Sequence, residues 1–245
     1  MNIVGVIPAR YGSSRFEGKP LADIFGKPMI WWTYHRVLKV KELNEVYVAT
    51  DDERIKSVCE KYGMKVVMTS KEHSTHVHRI QEFSEKVKAD LYVCVCGDEP
   101  IIDNKIIPNV IPSERKEGMI ISALMREIAD PTEVIDPAKI KIVTKTNGYA
   151  LNLSRTPIPF PYKSLEFKYK KIIGVECYNR EALDFFVNTE KGPLEKAEDI
   201  TLLRYLEHGA DIQFSMVASY ELAVDTPKDL ERVKKFIKEN DINEI

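Results

Sequence analysis

The first hundred residues alternate short apolar runs with amphipathic stretches, and this pattern constrains the fold more than any other feature. Residues 3–9, IVGVIPA, are apolar without interruption, as a strand covered on both faces requires. Residues 28–40 open with Pro28 and carry an apolar stripe at helical spacing. VYVAT (46–50) reads as a second strand. DDERIKSVCEKYG (51–63) reads as a helix, with acids in its first turn and Gly63 past its end. KVVMT (65–69) is a third strand, residues 78–88 a helix, and LYVCV (91–95) a fourth strand. Strands joined through helices by short connections give right-handed βαβ units. The expected fold is therefore α/β, a mostly parallel Rossmann-like sheet with flanking helices.

The second half is mixed. Residues 120–125, 172–178 and 212–218 read as strands, 193–208 as a helix, and the chain closes with a helix from about Pro227 to Asn240. Residues 139–155 alternate on both sides of Asn147-Gly148, a hairpin signal. The prolines of PIPFP (157–161) remove ladder donors, so this segment must leave the sheet. No repeat, linker or charge block divides the chain. A single domain over 1–245 is expected, with a hairpin-containing insertion at 139–170 as a candidate dimerisation element.

Composition removes several function classes. Lys and Arg number 36 against 38 Asp and Glu, a net charge of −2, so a dedicated nucleic-acid surface is not expected. No run approaches the ~20 apolar residues of a membrane helix. The apolar start MNIVGVIPA has no basic residue ahead of it and is too short for a signal peptide. Cys59, Cys94, Cys96 and Cys177 form no CxxC pair and read as reduced thiols of a cytoplasmic protein.

Ligands of an open α/β sheet bind at the carboxyl ends of its strands. Four loops follow the four N-terminal strands, and each carries unusual residues. The first, 8–20, holds Arg10, Gly12, Ser13, Ser14, Arg15, Gly18 and Lys19. Small residues let backbone N–H groups approach oxyanions, and the three cations neutralise them, so the loop suits a polyphosphate. It is neither a P-loop nor GxGxxG, and a solvated surface loop is the bland alternative. Gly97-Asp98-Glu99-Pro100 follows a buried strand. Asp98 suits a Mg²⁺-nucleotide site or an ordinary turn acid. In Asp225-Thr226-Pro227-Lys228-Asp229, Thr226 fits N-cap, Pro227 N1 and Asp229 N3. Asp225 there is a second Mg²⁺ ligand or an acid favoured by the helix dipole. His73, His76 and His78 fall in the third loop. They suit contacts to an anionic acceptor, a metal, or solvent alone. Trp31 and Trp32 read as core or interface residues.

IPARYGSSRFEGKPLADIFGKPMI (7–30), VYVATDD (46–52), GDEPII (97–102), SRTPIPFP (154–161) and VDTPKDLERV (224–233) resemble the CMP-Kdo synthetase (3-deoxy-manno-octulosonate cytidylyltransferase) family in order and spacing. The resemblance implies a single domain of the nucleotide-diphospho-sugar transferase type, a homodimer, and transfer of CMP from CTP to an acidic sugar with release of pyrophosphate. It implies that Arg10, Gly12, Ser13, Arg15 and Lys19 hold the CTP phosphates, and that Thr50 and Asp51 lie by the cytidine. It implies that Asp98 and Asp225 hold Mg²⁺, and that Arg79 sits on the acceptor side. Arg10, Lys19, Asp98 and Asp225 are then the candidate catalytic residues. The acceptor half departs from the family pattern. Thr75-His76-Val77-His78 precede Arg79, Cys96 replaces a glutamine, Ile172 a histidine and Thr201 a glutamate. His76, His78 and Cys96 are therefore assigned with Arg79 to the acceptor. Two acceptors follow: Kdo or a related 2-keto sugar acid, and alternatively a different acidic sugar, an amino acid or a phosphonate. A non-catalytic nucleotide-binding protein is the third reading, although a sensor would not need the paired carboxylates.

Overall fold

The computed structural model of the chain describes all residues except 14, 114–116, 165, 220–221 and 243–245. Ser14, read above as part of the phosphate loop, lies outside the described residues. Two compact units are present: Met1–Pro108 together with Tyr220–Ile245, and Asn109–Ser219.

The first unit begins with β1 (Ile3–Ala9), then the small hairpin β2 (Asp23–Ile24) and β3 (Lys27–Pro28), and α1 (Met29–Leu38). It continues through β4 (Glu45–Thr50), α2 (Glu53–Lys61), β5 (Val66–Met68), α3 (His76–Lys86) and β6 (Leu91–Val95). β1 pairs in parallel with β4 on one side and β6 on the other, and β4 pairs in parallel with β5. The chain thus builds outward from β1 to β5 and then crosses back to β6. That reversal makes the carboxyl ends of β1 and β6 a topological switch point, where α/β sheets open a ligand crevice. Val6, Ile7, Val48 and Val93 are fully buried, as their uninterrupted apolar runs require, with Ile30, Ile55, Ile80 and Phe83 against them from the helices. Trp32 is buried, and its indole N–H donates to the Ile24 carbonyl at 3.1 Å, which makes Trp31-Trp32 core.

The second unit holds β7 (Ile121–Glu127), α4 (Thr132–Ile135), β8 (Lys141–Thr144), β9 (Ala150–Ser154), β10 (Lys170–Tyr178), α5 (Arg180–Asn188), α6 (Pro193–Glu198), α7 (Leu202–Glu207) and β11 (Gln213–Met216). β10 runs antiparallel to β7 with a bulge between Ile173 and Glu176, and β11 runs parallel to β7. The expected hairpin is β8–β9. Its Gly148 has φ +87°, and a Cβ there would stand 2.9 Å from the Phe214 carbonyl oxygen, so the turn admits only glycine. PIPFP forms no strand. The single helix expected over 193–208 is two, because Asp199 takes φ +50° and ends α6 with its N–H on the Glu195 carbonyl. The chain returns to the first unit with α8 (Pro227–Glu239).

Candidate active site

The loop after β1 turns back on itself. The Gly18 N–H donates to the Tyr11 carbonyl at 2.9 Å, and Gly18 takes φ +68° to start a 3₁₀ turn over Lys19–Leu21. This turn aims Lys19 across the ends of the strands. Its ammonium donates to Asp98 Oδ2 at 3.0 Å and to the Val224 carbonyl at 2.8 Å, and lies 3.6 Å from Asp225 Oδ1. Arg15 reaches the same Asp225 Oδ1 at 2.9 Å. The structure therefore gathers Arg15, Lys19, Asp98 and Asp225, residues up to 210 positions apart in the chain.

Local structure explains the convergence. At Gly97 a Cβ would stand 2.9 Å from the Pro8 carbonyl oxygen, so glycine lets the chain leaving β6 cross close to the end of β1. Asp98 follows directly. Its carbonyl accepts the Val224 N–H at 2.9 Å, which ties the two acid-bearing loops together through the backbone. Asp225 is fixed from the other side by the start of α8. Thr226 is its N-cap, Pro227 stands in the first turn, and Thr226 and Asp229 form a reciprocal capping box. The Asp225 N–H also donates to Asp229 Oδ2 at 3.3 Å. Lys19 is 15% exposed, and Asp98 and Asp225 are 31% and 29% exposed, so the cluster opens to solvent while its backbone is held. The Val224 carbonyl was invisible to sequence reasoning, because a backbone acceptor carries no residue signature.

The remaining candidates fall in two groups. Arg10 is exposed one residue beyond β1, Gly12 has open space where a Cβ would stand, and Ser13 is half-buried. Thr50 is buried at the end of β4, its hydroxyl accepting the Asp52 N–H and its carbonyl the Thr69 hydroxyl. Asp51 and Arg79, assigned to opposite substrates by the resemblance, are paired with each other. Arg79 Nη2 donates to Asp51 Oδ2 at 2.8 Å, and its other branch reaches Thr69 and Ser70. At 5% exposure this guanidinium braces β4, β5 and α3.

His73 and His78 stack at 6.3 Å between ring centroids, and the His78 ring also bonds the Thr75 hydroxyl that caps α3. His73 lies against Glu82, which also receives the Ser70 N–H and the Lys86 ammonium. Burial alone would raise the Glu82 carboxyl, but Lys86, the Ser70 amide and His73 together hold it at about 2. Glu82 escaped the sequence reading because only the fold brings it to the histidine loop. His76 opens α3 and Cys96 lies one residue past β6, both half-buried. The four cysteines are unbridged.

A family model described as Cytidylyltransferase matches residues 4–212. This chain belongs to that family. It is 38% identical over 229 residues to the 3-deoxy-manno-octulosonate cytidylyltransferase of Escherichia coli, covering 94% of this chain and 93% of that protein. It is 41% identical over 240 residues to an 8-amino-3,8-dideoxy-manno-octulosonate cytidylyltransferase of a Shewanella species, covering 96% and 98%. Its fold matches a solved CMP:2-keto-3-deoxy-manno-octonic acid synthetase in complex with CTP, with a TM-score of 0.92 and 37% identity, over 98% of this chain and all of that one. A cytidylyltransferase is a nucleotidyltransferase, so the chain is an enzyme of that class. Among the described residues no helix is long and apolar enough to cross a membrane.

Proposed function

We propose that the chain transfers CMP from CTP to an eight-carbon 2-keto sugar acid, either 3-deoxy-manno-octulosonate or its 8-amino-3,8-dideoxy form. The observation that carries the proposal is the placement of Lys19 between Asp98 and Asp225 at the switch point, in a chain akin to relatives named for these two acceptors.

Transfer of CMP forms a bond from an acceptor oxygen to the α-phosphorus and breaks the bond to the β-phosphate oxygen. Pyrophosphate leaves and the hydroxyl proton passes to solvent. Positioning and charge neutralisation carry most of such a reaction. In this reading Arg10, Ser13 and the open backbone at Gly12 receive the phosphates. Arg15 exchanges its contact with Asp225 for the nucleotide. Lys19, held by the Val224 carbonyl, neutralises charge on the leaving pyrophosphate.

Asp98 and Asp225 suit Mg²⁺, since both offer hard carboxylate oxygens and both already face one cationic centre, the Lys19 ammonium. When bound, Mg²⁺ supplies charge neutralisation and Lewis acidity toward the phosphate oxygens. Asp98→Asn should abolish Mg²⁺-dependent pyrophosphate release, and turnover at the wild-type rate would refute this assignment.

For the acceptor, Thr75-His76-Val77-His78 stand in place of the usual family residues, which supports an altered acceptor such as the 8-amino acid. A homodimer and a cytoplasmic setting complete the proposal. Exposed Leu151, Phe160, Tyr162 and Phe167 within the hairpin segment support the first, and four unbridged thiols the second.

A further inference from the structure

A second set of side chains grips the phosphate loop away from its two carboxylates. Tyr11 sits between Arg10 and Gly12 and accepts the Gly18 N–H that closes the loop. Its ring also occupies the space beside Gly18, where a Cβ would stand 3.1 Å from the ring atoms. Gly18 caps the turn that aims Lys19. The Tyr11 ring therefore abuts the residue that sets the direction of Lys19.

Arg54 of α2 covers that ring, its guanidinium carbon 3.2 Å from the ring centroid. The guanidinium is itself locked. Nε donates to Asp52 Oδ1 at 2.9 Å and Nη2 to Asp52 Oδ2 at 2.7 Å, a two-pronged pair. Asp52 is the N-cap of α2 and accepts the Arg54 N–H at 2.9 Å. The Arg54 side chain holds the Asp52 carboxyl at about 2, well below the ordinary carboxylate value. Glu17, on the same loop, adds a further negative charge facing Arg54.

We infer that Arg54 is a positioning residue for nucleotide binding. Anchored to the end of β4 by Asp52, it clamps Tyr11 and through it holds Arg10, Gly12, Ser13, Arg15 and Lys19 in a phosphate-receiving arrangement. The inference rests on the reading of that loop as the CTP site. It assigns Arg54 a role through Tyr11 rather than by touching phosphate, because its fork is already committed to Asp52.

The test is a double-variant cycle on Arg54→Ala and Tyr11→Leu, with hydrogen exchange on the nucleotide-free protein. Each single variant should raise KM for CTP about two- to five-fold, the size of an exposed cation–π contact, and more than it lowers kcat. The double variant should be no worse than Tyr11→Leu alone, and Arg54→Lys should regain part of the loss. Without nucleotide, amides of residues 10–19 should exchange faster in Arg54→Ala. Multiplying KM effects would instead mark Arg54 as a direct phosphate contact and overturn the clamp. Unchanged exchange in the loop would overturn it as well. If the wild-type protein fails to bind CTP, the proposed function falls, and the exchange comparison still decides whether the clamp exists.

Discussion

Lys19 is the residue on which the site turns, because one ammonium answers two carboxylates and a backbone carbonyl. Replacing it with alanine leaves Asp98 without its ammonium partner, leaves Asp225 with Arg15 alone, and removes the preorganised donor that the proposed reaction uses for the phosphates. Lys19→Ala should lower kcat about 10²–10³-fold, as loss of one preorganised electrostatic donor does elsewhere. Steady-state pyrophosphate release would measure it, and a fall of less than tenfold would remove Lys19 from the reaction.

At Glu82 the prediction concerns pH. Its folded carboxyl titrates at about 2, below the ordinary value near 4.5, so its stabilising contribution is complete above the unfolded value and is lost as pH falls toward 2. Glu82→Gln should therefore flatten the loss of stability between pH 4.5 and 2, measured by urea unfolding across that range. An unchanged slope would mean that the His73–Glu82–Lys86 contacts carry no folding energy.

Elements hold these residues where single side chains cannot. α8 starts immediately after Asp225, and its capping box fixes that start. Thr226→Ala should cost about 1 kcal/mol of stability and leave α8 frayed at the end nearest Asp225. Gly97→Ala would drive a Cβ to 2.9 Å from the Pro8 carbonyl oxygen, at a cost of about 1–3 kcal/mol. Chemical denaturation would check both, and a neutral Gly97→Ala would show that the crossing of the two strand ends relaxes.

The sequence announced most of these elements. β1 and β6 match their apolar runs residue for residue, and the Thr226–Asp229 start of α8 follows from side chains that cap it locally. What stayed hidden depends on contacts made at a distance or on unusual backbone. The break at Asp199 needs a left-handed φ that aspartate seldom adopts. α5 is capped by Asn179, a good cap in front of a short and mixed apolar stripe that is easily passed over. The hairpin β2–β3 is only two residues a side, shorter than any periodicity reveals. Within the site, the acids and cations were legible from residue type. The pairing of Asp51 with Arg79 was not, since residues 28 positions apart meet only after β4, β5 and α3 pack.

At the scale of the whole molecule, the residues proposed to bind the nucleotide lie in one compact unit built from both ends of the chain, Met1–Pro108 and Tyr220–Ile245. Chain order alone would scatter Arg15 and Asp225; parallel pairing about β1 and the return of α8 reunite them. The family relationship spans nearly the full chain, so its chemistry belongs to the molecule rather than to one motif. The measurement that tests the account most directly is pyrophosphate release from CTP and Mg²⁺ with purified 3-deoxy-manno-octulosonate and, separately, its 8-amino-3,8-dideoxy analogue, with the product identified by mass. The account predicts release with at least one acid, formation of its CMP adduct, and loss of both when EDTA is added or Asp98 is replaced by asparagine. Absence of release with both acids, from protein shown to be folded, would contradict it.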